Sequence, residues 1–340
     1  MQAFLDSKDI VNNGPELRQR VQRDGYLFIR GALPTDVLES LRMQALETVR
    51  EAGWVKANTP LEDAIADLSG FCVEPEPKYM QVYHHMYKLP EFHALQHHPN
   101  LTGLFERVMG EPVMPHPRII GRTIFPQREA FTTPAHQDFI PIQGTAETYT
   151  AWIPLGDIPP ELGGLQIASG SHRGGVYDFR PAMGAGGLEV TDPLEGSWVS
   201  SPFKQGDLLI FHSMTVHKGL PNKSDRLRMS IDARYQKISD PIAPGSLQPH
   251  SQPSTWEDIY ADWPPNGLQY YWQKWALEVR AYDTSYHEKR DRLAFEMAAK
   301  GDDRAVSALQ RIIARNPDPV KQKKAEDLLA ALEAPLPPSS

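Results

Sequence analysis

Apolar side chains recur at Leu38, Leu41, Ala45 and Val49, a spacing that lays one stripe along a helix. It predicts a helix over about residues 35–51, with Thr35 of the Pro34-Thr35 turn as its cap. Just ahead of it, Tyr26-Leu-Phe-Ile29 between Gly25 and Gly31 reads as a short strand. Residues 75 to 126 mix short aromatic runs with many prolines and histidines, and no period stands out there. From about 120 to 240 the pattern becomes short apolar or alternating runs parted by Gly/Pro clusters: 149–155, 164–168, 206–212 and 228–235. Short strands with no helical pattern between them argue for a sandwich or barrel and against a parallel α/β sheet.

The alternation is strictest from Arg226 to Tyr235. Polar residues at 226, 228, 230, 232 and 234 share one face, and Met229, Ile231 and Ala233 the other. A strand with a polar inner surface and a packed outer surface has this pattern. After Pro253 come Trp256, Trp263, Trp272 and Trp275, then helical patterns. Val306, Leu309 and Ile313 fall on one face of a segment ending before Asn316-Pro317, and Asp318-Pro319 makes a cap and first-turn pair for a last helix to about Glu333. The expected organisation is a β core with flanking helices over 1–250 and a tryptophan-rich helical extension over 251–340, with Pro335–Ser340 as a frayed tail. The extension is expected to pack as core or to form an interface with a partner subunit; the oligomeric state is left open.

Composition narrows the class. With 35 basic and 43 acidic residues among 340 the net charge is −8, and without a Lys/Arg block nothing resembles a nucleic-acid footprint. No apolar run approaches the roughly 18 residues of a membrane span. Cys72 is the single cysteine, which excludes a disulfide framework and any cysteine-built metal site. The N-terminus shows no secretory pattern, so a cytoplasmic location is expected.

The chemistry is concentrated in three stretches. Pro134-Ala-His136-Gln-Asp138 places an imidazole and a carboxylate at i and i+2, on one face if the segment is a strand. Gly206-Asp-Leu-Leu-Ile-Phe211 is an apolar strand running through His212 toward His217, and a turn then leads into the alternating strand with Arg226 and Arg228. Two histidines and a carboxylate with open positions beside them form the facial triad of non-haem Fe(II) oxygenases. A neighbouring arginine has the planar fork that pairs with the distal carboxylate of 2-oxoglutarate. His212 competes with His217 as the second histidine. Ser169-Gly-Ser-His172 reads as a loop leaving a strand. In His84-His85 and His97-His98, adjacent residues of an extended chain face opposite ways, which suits a surface or pocket wall better than chelation.

Taken together, Asp24-Gly-Tyr-Leu-Phe-Ile-Arg-Gly31, His136-Gln-Asp138, Ala151-Trp-Ile-Pro-Leu155, Gly163-Gly-Leu-Gln-Ile-Ala-Ser-Gly-Ser-His172, Gly206-Asp-Leu-Leu-Ile-Phe211 and His217 to Arg228 resemble the phytanoyl-CoA dioxygenase-like Fe(II)/2-oxoglutarate oxygenases over roughly residues 20 to 236. The resemblance implies a double-stranded β-helix, a cupin-like jelly-roll barrel, with Fe(II) held by His136, Asp138 and His217. It implies that Arg228 binds 2-oxoglutarate and that Trp152 lines the same pocket; a second contact falls to Arg118, Arg122 or Thr123. The implied reaction consumes 2-oxoglutarate and O2, releases succinate and CO2, and hydroxylates a C–H bond of a small-molecule substrate. The rival readings are a jelly-roll binding or scaffold module without turnover, and a metal-dependent cupin enzyme that uses no keto acid.

Overall fold

The computed structural model describes residues 2–126, 132–183, 187–194, 196–251 and 253–333; the tail from Pro335 lies outside them. Eleven strands occur among the described residues: β1 (Tyr26–Ile29), β2 (Val113–Pro115), β3 (Ile120–Ile124), β4 (Tyr149–Pro154), β5 (Leu165–Ala168), β6 (Phe179–Pro181), β7 (Leu188–Val190), β8 (Trp198–Val199), β9 (Leu208–His212), β10 (His217–Gly219) and β11 (Arg228–Lys237). They pair antiparallel in a six-stranded sheet of order β1-β9-β4-β11-β2, with β3 also on β11, a three-stranded sheet β10-β5-β8, and the hairpin β6-β7.

The two larger sheets face each other. Tyr26 and Phe28 of β1, Trp152 of β4 and Leu209 and Phe211 of β9 join Leu165, Ile167 and Val199 of the small sheet in one apolar cluster. The alternate residues of the large sheet point the other way, onto helices. Leu27, Ile153, Ile210 and Ile231 share the main core with α1 (Gly14–Asp24), α2 (Thr35–Glu51), α3 (Pro77–Tyr87) and α5 (Pro99–Met109). A short α4 (Pro90–Ala94) lies between the last two. This is why β9 reads as an unbroken apolar run: it is covered on both faces.

The strand and helix positions follow the sequence pattern, with corrections at the ends. Pro34 is the cap of α2 and Thr35 its first helical residue, so the Thr35 side chain makes no capping bond. The stretch without a visible period holds three helices, each starting at a proline, because a helix's first turn has no use for the missing N–H. Each longer one buries a single stripe, Tyr79, Tyr83 and Tyr87 on α3 and Leu101, Leu104, Phe105 and Val108 on α5, but the pieces are too short for the period to stand out.

A short α6 (Phe139–Ile142) follows Asp138, and α7 (Trp256–Tyr260) opens the C-terminal part. Trp256, Trp263 and Trp272 belong to the same main core as the helical layer, while α8 (Ser285–Ala298), α9 (Val306–Arg315) and α10 (Pro319–Glu333) have a core of their own. Asp318 does cap α10, accepting from the amide of Val320 at 2.9 Å. On α9 the buried stripe is Ala308, Leu309 and Ile312, continued by Ala305 at its N-cap; Ile313 packs at its edge and Val306 faces elsewhere, a rotation of the expected face. Trp263 donates Nε1–H to the carbonyl of Lys88 at 2.7 Å and packs on His93 and Tyr260. Trp263→Ala is expected to lower unfolding free energy by about 3–5 kcal/mol in a denaturant titration. A loss under about 1 kcal/mol would show that the tryptophan segment adds little to the core.

Candidate metal centre

β10 is set by its pairing with β5, where His217 lies opposite Ile167. The approach to it is tied down from outside: Thr215 Oγ1 donates to the carbonyl of Gly25 at 2.8 Å, and Ser171 Oγ accepts from the amide of Val216 at 2.9 Å. The Ser169–His172 phrase is thus a loop that holds the strand, as the sequence suggested. His136 meets His217 across a single antiparallel bridge, each amide donating to the other's carbonyl at 2.9 and 3.0 Å. The rings are brought to 4.2 Å between centroids.

The segment around Asp138 is not the regular strand the i, i+2 argument assumed. Only His136 forms a strand-type bridge, with single amide-to-carbonyl bonds from Gly219 to Thr133 and from Phe139 to Ser213 on either side; the chain turns at Asp138 (φ −67°, ψ −26°) into α6. The turn still delivers the carboxylate to the histidines, with Oδ1 3.8 Å from His136 Nε2 and 4.0 Å from His217 Nε2. Gln137, buried between them, fixes that turn. It donates to the carbonyls of Gly175 and Met214 at 2.7 and 2.6 Å and accepts from the amide of Tyr177 at 2.9 Å.

The protonation pattern suits a cation. His136 Nδ1 lies 2.8 Å from the carbonyl of Pro134, and His217 Nδ1 3.0 Å from that of Thr215. A carbonyl only accepts, so both Nδ1 atoms carry the hydrogen and both Nε2 lone pairs are free. Burial, with His217 beside it, pushes His136 down to about 3, and burial also lowers His217. Burial alone would raise the Asp138 carboxyl, but Arg234, His217 and His136 outweigh it and hold it below the usual carboxylate range. Two neutral imidazoles and one carboxylate remain, a donor set for a divalent ion. Among the described residues no other His/Cys/Asp/Glu group gathers in this way.

Two partners of Asp138 escape a motif search. Thr150 Oγ1 donates to Oδ2 at 2.6 Å, and Arg234 Nη2 stands 3.4 Å from each carboxylate oxygen. Thr150 and Arg234 are opposite each other in the β4-β11 register. The alternation of β11 had already put Arg234 on the polar face; what it lacked was the neighbour it faces.

The other residues of that face point inward too. Arg228 is buried, and Nη1 donates to the carbonyl of Gly163 at 2.6 Å and approaches that of Leu220 at 3.4 Å. It makes no ion pair among the described residues, and Nε has no partner. Burial lowers its pKa to about 10, which still leaves it a cation at neutral pH. Leu220 lies three residues beyond His217, about 10 Å of extended chain. Ser230 Oγ, the next inward group toward Asp138, is also unpartnered. Trp152 is on the inner face of β4 opposite Asp232, its ring packed on Phe203 at 4.6 Å.

Of the three candidates for a second contact, Arg122 turns into the pocket, where Nε donates to Asp232 Oδ2 at 3.2 Å and Nη1 bonds Glu74. The Thr123 hydroxyl meets Met86 Sδ in the helical layer, and Arg118 donates to the carbonyl of Pro249. Arg226 is 57% exposed beside Asp225. His212 is remote from the triad, its Nε2 3.5 Å from Glu147 and its ring on Tyr149. His84 and His85 lie on α3, and His98 caps α5, so the extended geometry assumed for both pairs does not arise. The pocket bordered by Arg228 and Arg122 is closed on its outer sides by Cys72–Glu76 and by Val306, Ser307 and Gln310 of α9.

Residues 21–230 match the family model for phytanoyl-CoA dioxygenase. The chain belongs to the phytanoyl-CoA dioxygenase family. Membership makes this family protein an oxidoreductase, and the His136-Asp138-His217 cluster falls within the matched range. The chain is 28% identical over 265 residues to 1-deoxypentalenic acid 11-beta-hydroxylase of Streptomyces exfoliatus, covering 72% of this chain and 89% of that one. It is 26% identical over 274 residues to phytanoyl-CoA dioxygenase domain-containing protein 1 of Bos taurus, covering 67% and 91%. Among solved structures, the apo form of the non-heme monooxygenase ThoJ superposes with a TM-score of 0.50 at 14% identity, over 93% of this chain and 99% of that one. That likeness extends the shared fold beyond the family match. No helix among the described residues is long and apolar enough to cross a membrane.

Proposed function

We propose that this family member is an Fe(II)/2-oxoglutarate-dependent oxygenase that hydroxylates a C–H bond of a small-molecule substrate, converting 2-oxoglutarate and O2 to succinate and CO2. The observation that carries the reading is Arg228, a buried cation that makes no direct ion pair among the described residues and feels Asp232 only from a distance, on the same inner wall as a buried, charge-compatible His-Asp-His set. A buried charge without a partner is costly, and a carboxylate of the co-substrate removes that cost. Ser230 Oγ offers the same carboxylate a hydroxyl donor. Fe(II) would be held by the two Nε2 atoms and an Asp138 oxygen, and when bound it supplies the oxidising chemistry. The chain's own work is to orient: Thr150 and Arg234 fix the Asp138 carboxylate, the two carbonyls fix the imidazole tautomers, and Arg228 sets the depth of the co-substrate.

The facing antiparallel sheets support reading the core as a double-stranded β-helix. The hydroxylase name of the Streptomyces relative supports hydroxylation as the outcome. We also propose the division of the chain into 1–250 and 251–340; the tryptophan segment at the start of the second part joins the main core, and α8 to α10 have a core of their own.

The test is stoichiometric. Protein loaded with Fe(II) should convert 2-oxoglutarate to equimolar succinate only when O2 is present, slowly alone and faster with a substrate. Oxygen uptake that needs no 2-oxoglutarate would favour a keto-acid-independent cupin, and binding without any succinate would favour a scaffold.

A further inference from the structure

The family match ends at residue 230, yet the pocket beside Arg228 is not complete without α9. The helix is amphipathic in two directions. Ala308, Leu309 and Ile312, continued by Ala305 at the N-cap, bury one stripe in the bundle of α8 to α10, while Val306 and Gln310, one turn apart, and Ser307 between them border the pocket. The bundle that carries α9 is tied to the metal-binding segment. The amide of Asp283 donates to Gln143 Oε1 at 2.7 Å, and the ring of Tyr286 lies against Phe139, the residue after Asp138, and against Phe179 of β6. Lys289 Nζ reaches Asp178 at 2.8 Å. The position of α9 over the pocket is therefore built into the fold.

The chemistry of this outer wall differs from that of the inner one. Arg228 is reserved for a carboxylate, and Arg122 is matched by Glu74 and Asp232. Glu76 turns back to accept from the amide of Val73. The α9 wall carries no charge: it offers a branched aliphatic group, a hydroxyl and an amide. The hydroxyl and amide bond no other side chain or carbonyl among the described residues, and Ser307 is buried.

We infer that α9 is the specificity wall of the enzyme: Val306 limits the bulk of the substrate, and Ser307 and Gln310 read an uncharged hydroxyl or carbonyl on an otherwise apolar molecule. The inference deepens the proposed function and rests on it for the placing of 2-oxoglutarate at Arg228.

One hydrocarbon skeleton with three polar ends provides the probe: camphor, borneol and bornylamine, titrated calorimetrically into protein loaded with Co(II) and 2-oxoglutarate. Camphor and borneol should bind at least about tenfold more tightly than the ammonium. Gln310→Leu, close to the native volume, should lose about five- to tenfold in camphor affinity through one hydrogen bond. Val306→Trp should exclude all three. Camphor binding unchanged in both variants, or bornylamine binding as well as camphor, overturns the inference, and so does native protein that takes none of the three. If Val306→Trp does not fold, Gln310→Leu decides. The 2-oxoglutarate titration of the same samples is read separately: its failure in native protein would sink the proposed function, whereas its success with an indifferent α9 would sink only this inference.

Discussion

Purified His217→Ala protein is expected to hold almost no iron and to show no 2-oxoglutarate turnover, while His212→Ala keeps both. Removing the ligand leaves one imidazole and one carboxylate, and two donors hold a divalent ion poorly. The loss should exceed the roughly 10–100-fold in metal affinity that follows from deleting an outer partner of a ligand. His212 lies five residues earlier, at the end of β9, with its ring directed to Tyr149 and Glu147. Iron content after gel filtration, read beside Co(II) titration of the same variants, checks this without reference to activity. Iron retained in His217→Ala and lost in His212→Ala would reverse the assignment of the second histidine.

The second large effect belongs to Arg228. Taking away the partner of a charged carboxylate costs on the order of 2–5 kcal/mol, so Arg228→Ala should weaken 2-oxoglutarate binding by about 30-fold or more in an anaerobic titration of the Fe(II) protein. Arg228→Lys should recover part of the loss, because an ammonium supplies the charge without the planar fork. Arg226→Ala should change the same affinity by less than about threefold, since its guanidinium is already in water beside Asp225. A large loss in the Arg226 variant with Arg228→Ala unaffected would exchange their roles.

Much of this site was legible from residue patterns because its parts lie on strands. The alternation from Arg226 to Tyr235 separated an inner from an outer face, and the structure puts Met229, Ile231 and Tyr235 in the helical core and Arg228, Ser230, Asp232 and Arg234 inside. Periodicity fails where its premise fails. Asp138 reaches the histidines through a turn, so strand geometry gave a right neighbourhood for a wrong reason. The helices of 77–109 are short and each opens at a proline, so the one-sided burial of Tyr79, Tyr83 and Tyr87, or of Leu101, Leu104, Phe105 and Val108, never runs long enough to stand out. Pairings across sheets, such as Thr150 with Arg234 about the Asp138 carboxylate, depend on register, and no local signal encodes that.

The narrow backbone seam around the His136–His217 bridge also bears on how the protein comes apart. The two histidines are about eighty residues apart in the chain, and their pairing is an isolated bridge. A cation gripping both rings would fasten this long excursion, which includes the β6-β7 hairpin, at its two ends. Binding only to the closed form, it would add about 2.7 kcal/mol against opening at a hundredfold excess over its dissociation constant. Chelation would then loosen the grip on residues 132–138 before the sheets melt, and proteolysis of the apoprotein would begin there.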